Sequence, residues 1–150
     1  MILFDHPLSS YAQKVKIALR EKGLPFERVL PEDFGSGRRD TAFAAANPRA
    51  EVPVLLPDDD APVFDSTIIL EYLDERWPQP RLLPAGPGAR AAARMIEEVC
   101  DTQYQAVNWG YGELLWFRRA EGEAETAQLT RAVQRDTAAL QAWLADRLGA

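Results

Sequence analysis

Residues 78–88, "PQPRLLPAGPG", constrain this chain more than any other stretch, because four prolines and two glycines fall within it. Proline has a fixed φ and no backbone N–H, and glycine holds no preferred conformation, so neither a helix nor a sheet ladder passes through such a segment. On its N-terminal side short alternating apolar runs interleave with helical ones. On its C-terminal side only the helical period remains. The chain therefore reads as an α/β unit over 1–78, a linker over 79–88 and an all-α unit over 89–150.

In the first unit, "MILF" (1–4) is apolar and stops at "DHP", the pattern of a short buried strand ending in a turn. Tyr11, Val15, Ala18 and Leu19 then recur at helical spacing, with Ser9 or Ser10 as the capping hydroxyl and Gly23 and Pro25 as the stop. "FERVL" (26–30) alternates like a strand, "PEDFGSGRRD" (31–40) reads as a loop, and "TAFAAANP" (41–48) holds one short helix. "VPVLL" (52–56) and "PVF" (62–64) flank the acidic "PDDDA" and form an antiparallel hairpin. Ser66 caps a last helix whose stripe is Ile69, Tyr72 and Leu73 and which breaks at Pro78. This βαβαββα order predicts a mixed sheet, because a crossover helix makes the first two strands parallel and the hairpin adds an antiparallel pair. Beyond the linker, residues 89–119 read as one long helix with Ile96, Cys100, Val107, Tyr111 and Leu114 on one face, weakened at Gly110 and Gly112. Residues 123–148 make a second helix, with Leu129, Val133, Leu140 and Leu144 facing inward.

Charge and the rare residues narrow the function classes. A net charge of −6 sets the overall field against nucleic acid. No apolar run is long enough to span a membrane and none in residues 1–30 is flanked as an export signal is, so a cytoplasmic protein is expected. Cys100 is the single cysteine, which excludes an internal disulfide, and Ile96 and Val99 beside it point to a buried thiol. A metal site needs several converging donors, and one histidine with one distant cysteine does not provide them, so no metal is expected. His6 precedes Pro7 at a strand end and has no evident catalytic partner in the sequence.

Four segments together carry a family resemblance: "SSYAQKVKIALREKGLPFE", "NPRAEVPVL", "FDSTIILEYLDERWP" and "LLPAGPGARAAARMIEE". They resemble the cytosolic glutathione S-transferase superfamily, of the serine type found in the zeta class or in bacterial relatives, and they span about residues 1–100. The resemblance implies a thioredoxin-like N-terminal domain, a helical C-terminal domain and a homodimer. Because family members continue with further helices, it also implies that the helical domain here is shortened and lacks its last part. It makes Ser9 the thiol-contacting residue with Ser10 in reserve, and a cis bond before Pro53 with Val52 pairing to the cysteinyl part of glutathione. Asp65 and Ser66 then receive the γ-glutamyl group, and Arg38 or Arg39 the glycyl carboxylate. Tyr11 resembles a catalytic tyrosine in type but lies in the core stripe. Tyr11, Trp109 and Tyr111 are the aromatic candidates for walling an electrophile pocket, with Trp116 and Phe117 further along the same long helix as the latter two.

The chemistry suits the residues. A free thiol has a pKa of about 8.5, and the thiolate is the nucleophile. A helix start offers unpaired N–H groups and a partial positive charge, and a serine hydroxyl adds one more donor to a bound anion. "SSYA" carries no cysteine pair, which removes dithiol exchange. The expected function is glutathione thiolate attack on a small electrophile, or glutathione-dependent isomerisation. The alternative is a non-catalytic module of the same fold serving protein interaction or regulation.

Overall fold

A computed structural model describes residues 1–149, the Leu115 side chain excepted. The chain divides into two compact units, Met1–Leu83 and Pro84–Ala150. The first carries β1 (Ile2–Phe4), α1 (Ser10–Glu21), β2 (Glu27–Val29), α2 (Ala42–Ala46), β3 (Val54–Leu56) and α3 (Ser66–Arg76). Its sheet has the order β2-β1-β3: β1 runs parallel to β2, with Ile2 opposite Glu27, and antiparallel to β3, with Phe4 opposite Val54. This is the thioredoxin-like N-terminal architecture with its small mixed sheet.

The expected hairpin is shorter than the sequence indicated. Its second arm, 62–64, is reduced to one residue pair, in which Val63 and Leu55 exchange both backbone hydrogen bonds at 2.9 Å. Pro62 has no N–H to extend that arm, and Pro53 likewise denies a donor to the first, so β3 begins only at Val54. Between the arms, each aspartate of the acidic turn has a separate neighbour: Asp58 the terminal ammonium of Met1 at 2.8 Å, Asp59 Arg76 at 3.3 Å, and Asp60 the Tyr72 hydroxyl at 2.6 Å. Burial and the Asp60 acceptor push the Tyr72 phenol up to about 12 and keep it a donor.

Leu3, Val15, Ala18, Leu19, Leu55, Ile69 and Leu73 form the core, which joins β1 and β3 to the facing sides of α1 and α3. Tyr72, read as a stripe residue, packs half-buried at its margin, and Tyr11, read likewise, is half-buried on α1. Two lysines enter the interior alongside these apolar groups. Lys16 Nζ meets both oxygens of Asp5 at 3.1 and 3.0 Å, and Arg28 reaches the same carboxylate at 2.7 Å. Lys22, just past the end of α1, uses its ammonium three times: on Asp74 at 3.1 Å, on the Trp77 carbonyl at 2.7 Å and on the Pro80 carbonyl at 2.8 Å. Asp74 also accepts from the Leu82 N–H at 2.8 Å, so residues 77–82 are held against the ends of α1 and α3.

The second unit is helical. It contains α4 (Pro87–Val99), a π-helical turn (Cys100–Tyr104), α5 (Gln105–Trp116) and α6 (Gly122–Leu148). Pro87 stands at the first helical position, where a missing N–H costs nothing. The single long helix expected over 89–119 is thus interrupted at Cys100, and the turn shifts the phase of the face that was to run from Ile96 to Leu114. Cys100 is half-buried. The helix persists through Gly110 and Gly112; the Trp116 ring packs over Gly112 so closely that an added Cβ would lie 3.0 Å from it. Val133, Leu140 and Leu144 of α6 are half-buried, whereas Leu129, expected inward, is exposed. No residue of α4 or α6 is fully buried. Among the described residues no helix is long and apolar enough to cross a membrane.

The Lys22 cluster yields a stability prediction. Burial raises the Asp74 carboxyl, but the Leu82 N–H, the Lys22 ammonium and the Leu83 N–H together outweigh it and hold the pKa below the usual value. A depressed carboxyl contributes stability above its unfolded pKa of about 4, and that contribution is lost as pH falls through the folded value. Lys22→Met should destabilise the protein by about 3–5 kcal/mol, because it strands a buried carboxylate. Urea unfolding at several pH values should show wild-type stability falling more steeply below about pH 4 than that of Asp74→Asn.

Candidate functional site

The topology collects several chain turns at one end of the sheet. β1 leaves the sheet at Phe4 and turns through residues 5–9 into α1, while the antiparallel β3 begins opposite Phe4, at Val54. The start of α1 and the entry to β3 therefore share that end. α3 packs against both α1 and β3, and the Lys14 ammonium of α1 meets the Thr67 hydroxyl in the first turn of α3 at 3.1 Å.

Both serines left open by the sequence can now be placed. Ser9 is the N-cap of α1, its Oγ accepting from the Ala12 N–H at 3.1 Å; Ser10 is the first helical residue and is exposed. Capping uses only an acceptor lone pair of Ser9, so the O–H remains a donor by chemistry. The cap role and a thiol-contacting role are compatible.

Val52 lies between a folded turn and β3, and its bond to Pro53 is cis. Asn47, 3% exposed, builds that turn: its Oδ1 accepts from the Arg49 N–H and its Nδ2 donates to the Glu51 carbonyl, both at 2.9 Å. Among the described residues neither backbone polar group of Val52 takes a partner within the chain. Asp65 caps α3, its Oδ1 accepting from the Thr67 N–H at 3.0 Å. Ser66 follows, 2% exposed, and its N–H is a first-turn donor without an intrahelical acceptor.

The cations are arranged less simply than the sequence implied. Arg38 forms a two-pronged contact with Asp40, both bonds at 3.1 Å, which raises the guanidinium pKa and lowers that of the Asp40 carboxyl. Arg39 instead donates to the Pro48 carbonyl at 2.6 Å, closing the 31–40 loop onto the segment that leads to Val52. Arg49, which sequence reasoning passed over, lies 2.6 Å from Glu51 and 3.7 Å from Asp65 Oδ2. Its position in "NPRAEVP" was a usable signal, since a cation three residues before Val52 starts from the same turn. Asn47 and Lys14 were missed as well; nothing in their local sequence separates them from ordinary surface polar residues.

Tyr11 is half-buried on α1. Trp109 and Tyr111 belong to α5 in the second unit, the first 56% exposed and the second half-buried. That unit has a hollow of about 440 Å³ lined by Leu114, Arg118, Thr126 and Ala127 among others. Glu113 Oε2 sits 2.7 Å from Arg119 Nη1 but off the N–H axis, an ion pair rather than a hydrogen bond. Among the described residues no three His, Cys, Asp or Glu side chains are grouped to hold a metal ion.

Residues 3–81 match the family described as glutathione S-transferase, N-terminal domain. The chain belongs to the glutathione S-transferase family. It is 40% identical over 95 residues to a stringent starvation protein A homolog from Haemophilus ducreyi, covering 63% of this chain and 42% of that one. It is 38% identical over 106 residues to the maleylacetoacetate isomerase of Pseudomonas aeruginosa, covering 67% and 50%. A glutathione S-transferase from Methylobacterium radiotolerans, crystallised with glutathione sulfonate, superposes with a TM-score of 0.72 at 34% identity, over 97% of this chain and 65% of that one. The chain spans about half the length or less of these two curated relatives.

The cap geometry separates two effects of one residue. Ser9→Ala should cost about 1 kcal/mol of stability, the usual value of a lost N-cap, with no ligand present. Ser9→Asp should restore that stability, since its carboxylate accepts from the Ala12 N–H and suits the helix start. Thermal unfolding of the three proteins checks both.

Proposed function

We propose that this chain binds glutathione at the shared end of β1, β3, α1 and α3 and holds its sulfur as a thiolate against Ser9. The observation that carries the reading is the coincidence, at one end of the sheet, of a capped helix start bearing a hydroxyl, an unpaired backbone at Val52 and a second helix start at Ser66. In this reading the Ser9 O–H donates to the sulfur while the Ala12 N–H fixes its Oγ. Val52 and Pro53 offer an extended edge to the cysteinyl backbone, the Ser66 N–H receives the γ-glutamyl carboxylate, and Asp65 meets the ammonium. The glycyl carboxylate falls to the loop arginines; Arg39 already reaches that side, whereas Arg38 must first leave Asp40. The thiolate then attacks a small electrophile, with catalysis from nucleophile activation and proximity. Isomerisation through the same thiolate is supported by the likeness to the Pseudomonas enzyme. Assembly as a cytoplasmic homodimer belongs to the proposal, and large exposed apolar residues on the second unit, among them Met95 and Trp116, support association.

A regulatory, non-catalytic role is the second reading, favoured by the likeness to stringent starvation protein A homologs. Calorimetry with glutathione, joined to the pH dependence of thiolate absorbance in the complex, separates the two. The bound thiol should titrate below its ordinary value of about 8.5, and Ser9→Ala should raise it by about one unit, equivalent to ~1.4 kcal/mol. A folded wild-type protein that neither binds glutathione nor shifts its thiol would leave the regulatory reading standing.

A further inference from the structure

The turn between β1 and α1, residues 5–9, presents Ser9 yet has little apolar packing of its own: Pro7 is exposed and Leu8 is 78% exposed. Polar contacts must therefore hold it, and between the Asp5 anchor and the Ser9 cap His6 supplies two of them. The His6 carbonyl accepts from the Ser9 N–H at 3.0 Å, and its ring Nδ1 accepts from the Leu8 N–H at 3.2 Å. A backbone N–H can only donate, so the ring is the tautomer with an unprotonated Nδ1. On its face the imidazole stacks against Phe34, centroids 5.2 Å apart and planes 26° apart. Phe34 in turn lies against Phe43, which is 3% exposed and packs edge-on against Phe4 of β1. The ring is thus clamped between the 31–40 loop and the turn that carries Ser9.

We propose that His6 is the positioning residue of Ser9: its unprotonated Nδ1 holds the Leu8 N–H and so sets where the Ser9 hydroxyl points, and a proton on Nδ1 releases the turn. This rests on the reading of Ser9 as the thiol-contacting group. Protonation turns Nδ1 from acceptor into donor, which leaves two donors facing each other and removes the bond. The 31–40 loop that mounts Phe34 carries Glu32, Asp33, Arg38, Arg39 and Asp40, of which Arg38 is held by Asp40 and Arg39 by the Pro48 carbonyl. Asp5, adjacent in sequence, is held by Lys16 of α1 and Arg28 of β2. Glu32 and Asp33 precede Phe34 on the loop, and Asp33 accepts from the Thr41 hydroxyl.

The chain has one histidine, so its imidazole can be followed by NMR without ambiguity. As pH falls, the Leu8 and Ser9 amide resonances of the free protein should move along the same curve as the ring. His6→Asn places a carbonyl oxygen where Nδ1 was, in the side-chain geometry that accepts from the second N–H onward. That variant should show no such curve and keep most of the wild-type effect on bound glutathione. His6→Phe keeps the stack on Phe34 but has no acceptor. It should weaken glutathione binding about threefold to tenfold, as the loss of one neutral hydrogen bond does, and raise the bound thiol's pKa. Amides that stay fixed while the ring titrates, or a His6→Phe protein with wild-type binding and thiol titration, would overturn the proposal. If wild-type protein does not bind glutathione, the proposed function fails, and the Leu8 and Ser9 amides still decide whether His6 governs the turn.

Discussion

One buried carboxylate organises the end of the sheet where the proposed glutathione site lies. Asp5, 3% exposed, receives Lys16 from α1 and Arg28 from β2, and Lys16 is itself 2% exposed. A charge at that depth is costly unless its partner sits within hydrogen-bond distance, so the pair tolerates little sliding of α1 along β1. The Asp5 N–H also donates to the Val29 carbonyl at 2.9 Å, which ties the same residue to β2. Helix, central strand and neighbouring strand are thereby set at one residue, and the turn into Ser9 starts from a fixed point.

From that point the local structure uses acceptors and leaves donors. Ser9 and Asp65 cap their helices by accepting from N–H groups, and Asn47 folds its turn by engaging both ends of its amide. The groups left over at this end include the Ser9 O–H and the N–H groups of Val52 and Ser66, which suit an anion, beside the Val52 carbonyl. This makes a chain of net charge −6 compatible with the anionic guest of the proposed function, because contact donors act at hydrogen-bond range while the net field is screened over about 10 Å in physiological salt. The acidic turn is compensated by its own neighbours, Met1, Arg76 and Tyr72.

Much of the architecture was legible because it rests on backbone chemistry and periodicity. The strand, helix and strand of the first unit follow from the apolar spacing, and the helix starts from residues whose side chains can accept from the first turn, although the cap of α3 is Asp65 and not Ser66, which the sequence reading chose. Two proline effects limited that reading: Pro62 and Pro53 trim the hairpin at positions where only the ladder itself shows which N–H is needed. The interior lysines could not be anticipated, since Lys16 and Lys22 read as the polar side of an amphipathic helix until Asp5 and Asp74 are brought opposite them. For the arginines, residue type was informative and position was not. Whether Arg38 or Arg39 faces the site depends on the Asp40 contact and on the Pro48 carbonyl, both products of loop geometry. The π-helical turn at Cys100 changes the phase of a face that the spacing alone treats as continuous.

The grip of Lys22 on the Trp77 and Pro80 carbonyls bears on how the first half would be produced alone. An expression boundary drawn at Pro78, where the proline-rich run begins, would discard the Pro80 carbonyl and the Leu82 N–H. It would leave the α1 lysine and the α3 aspartate short of partners in the interior. Ending the recombinant fragment after Leu83 keeps that hasp closed, so residues 79–83 belong with the first compact unit rather than with a dispensable linker.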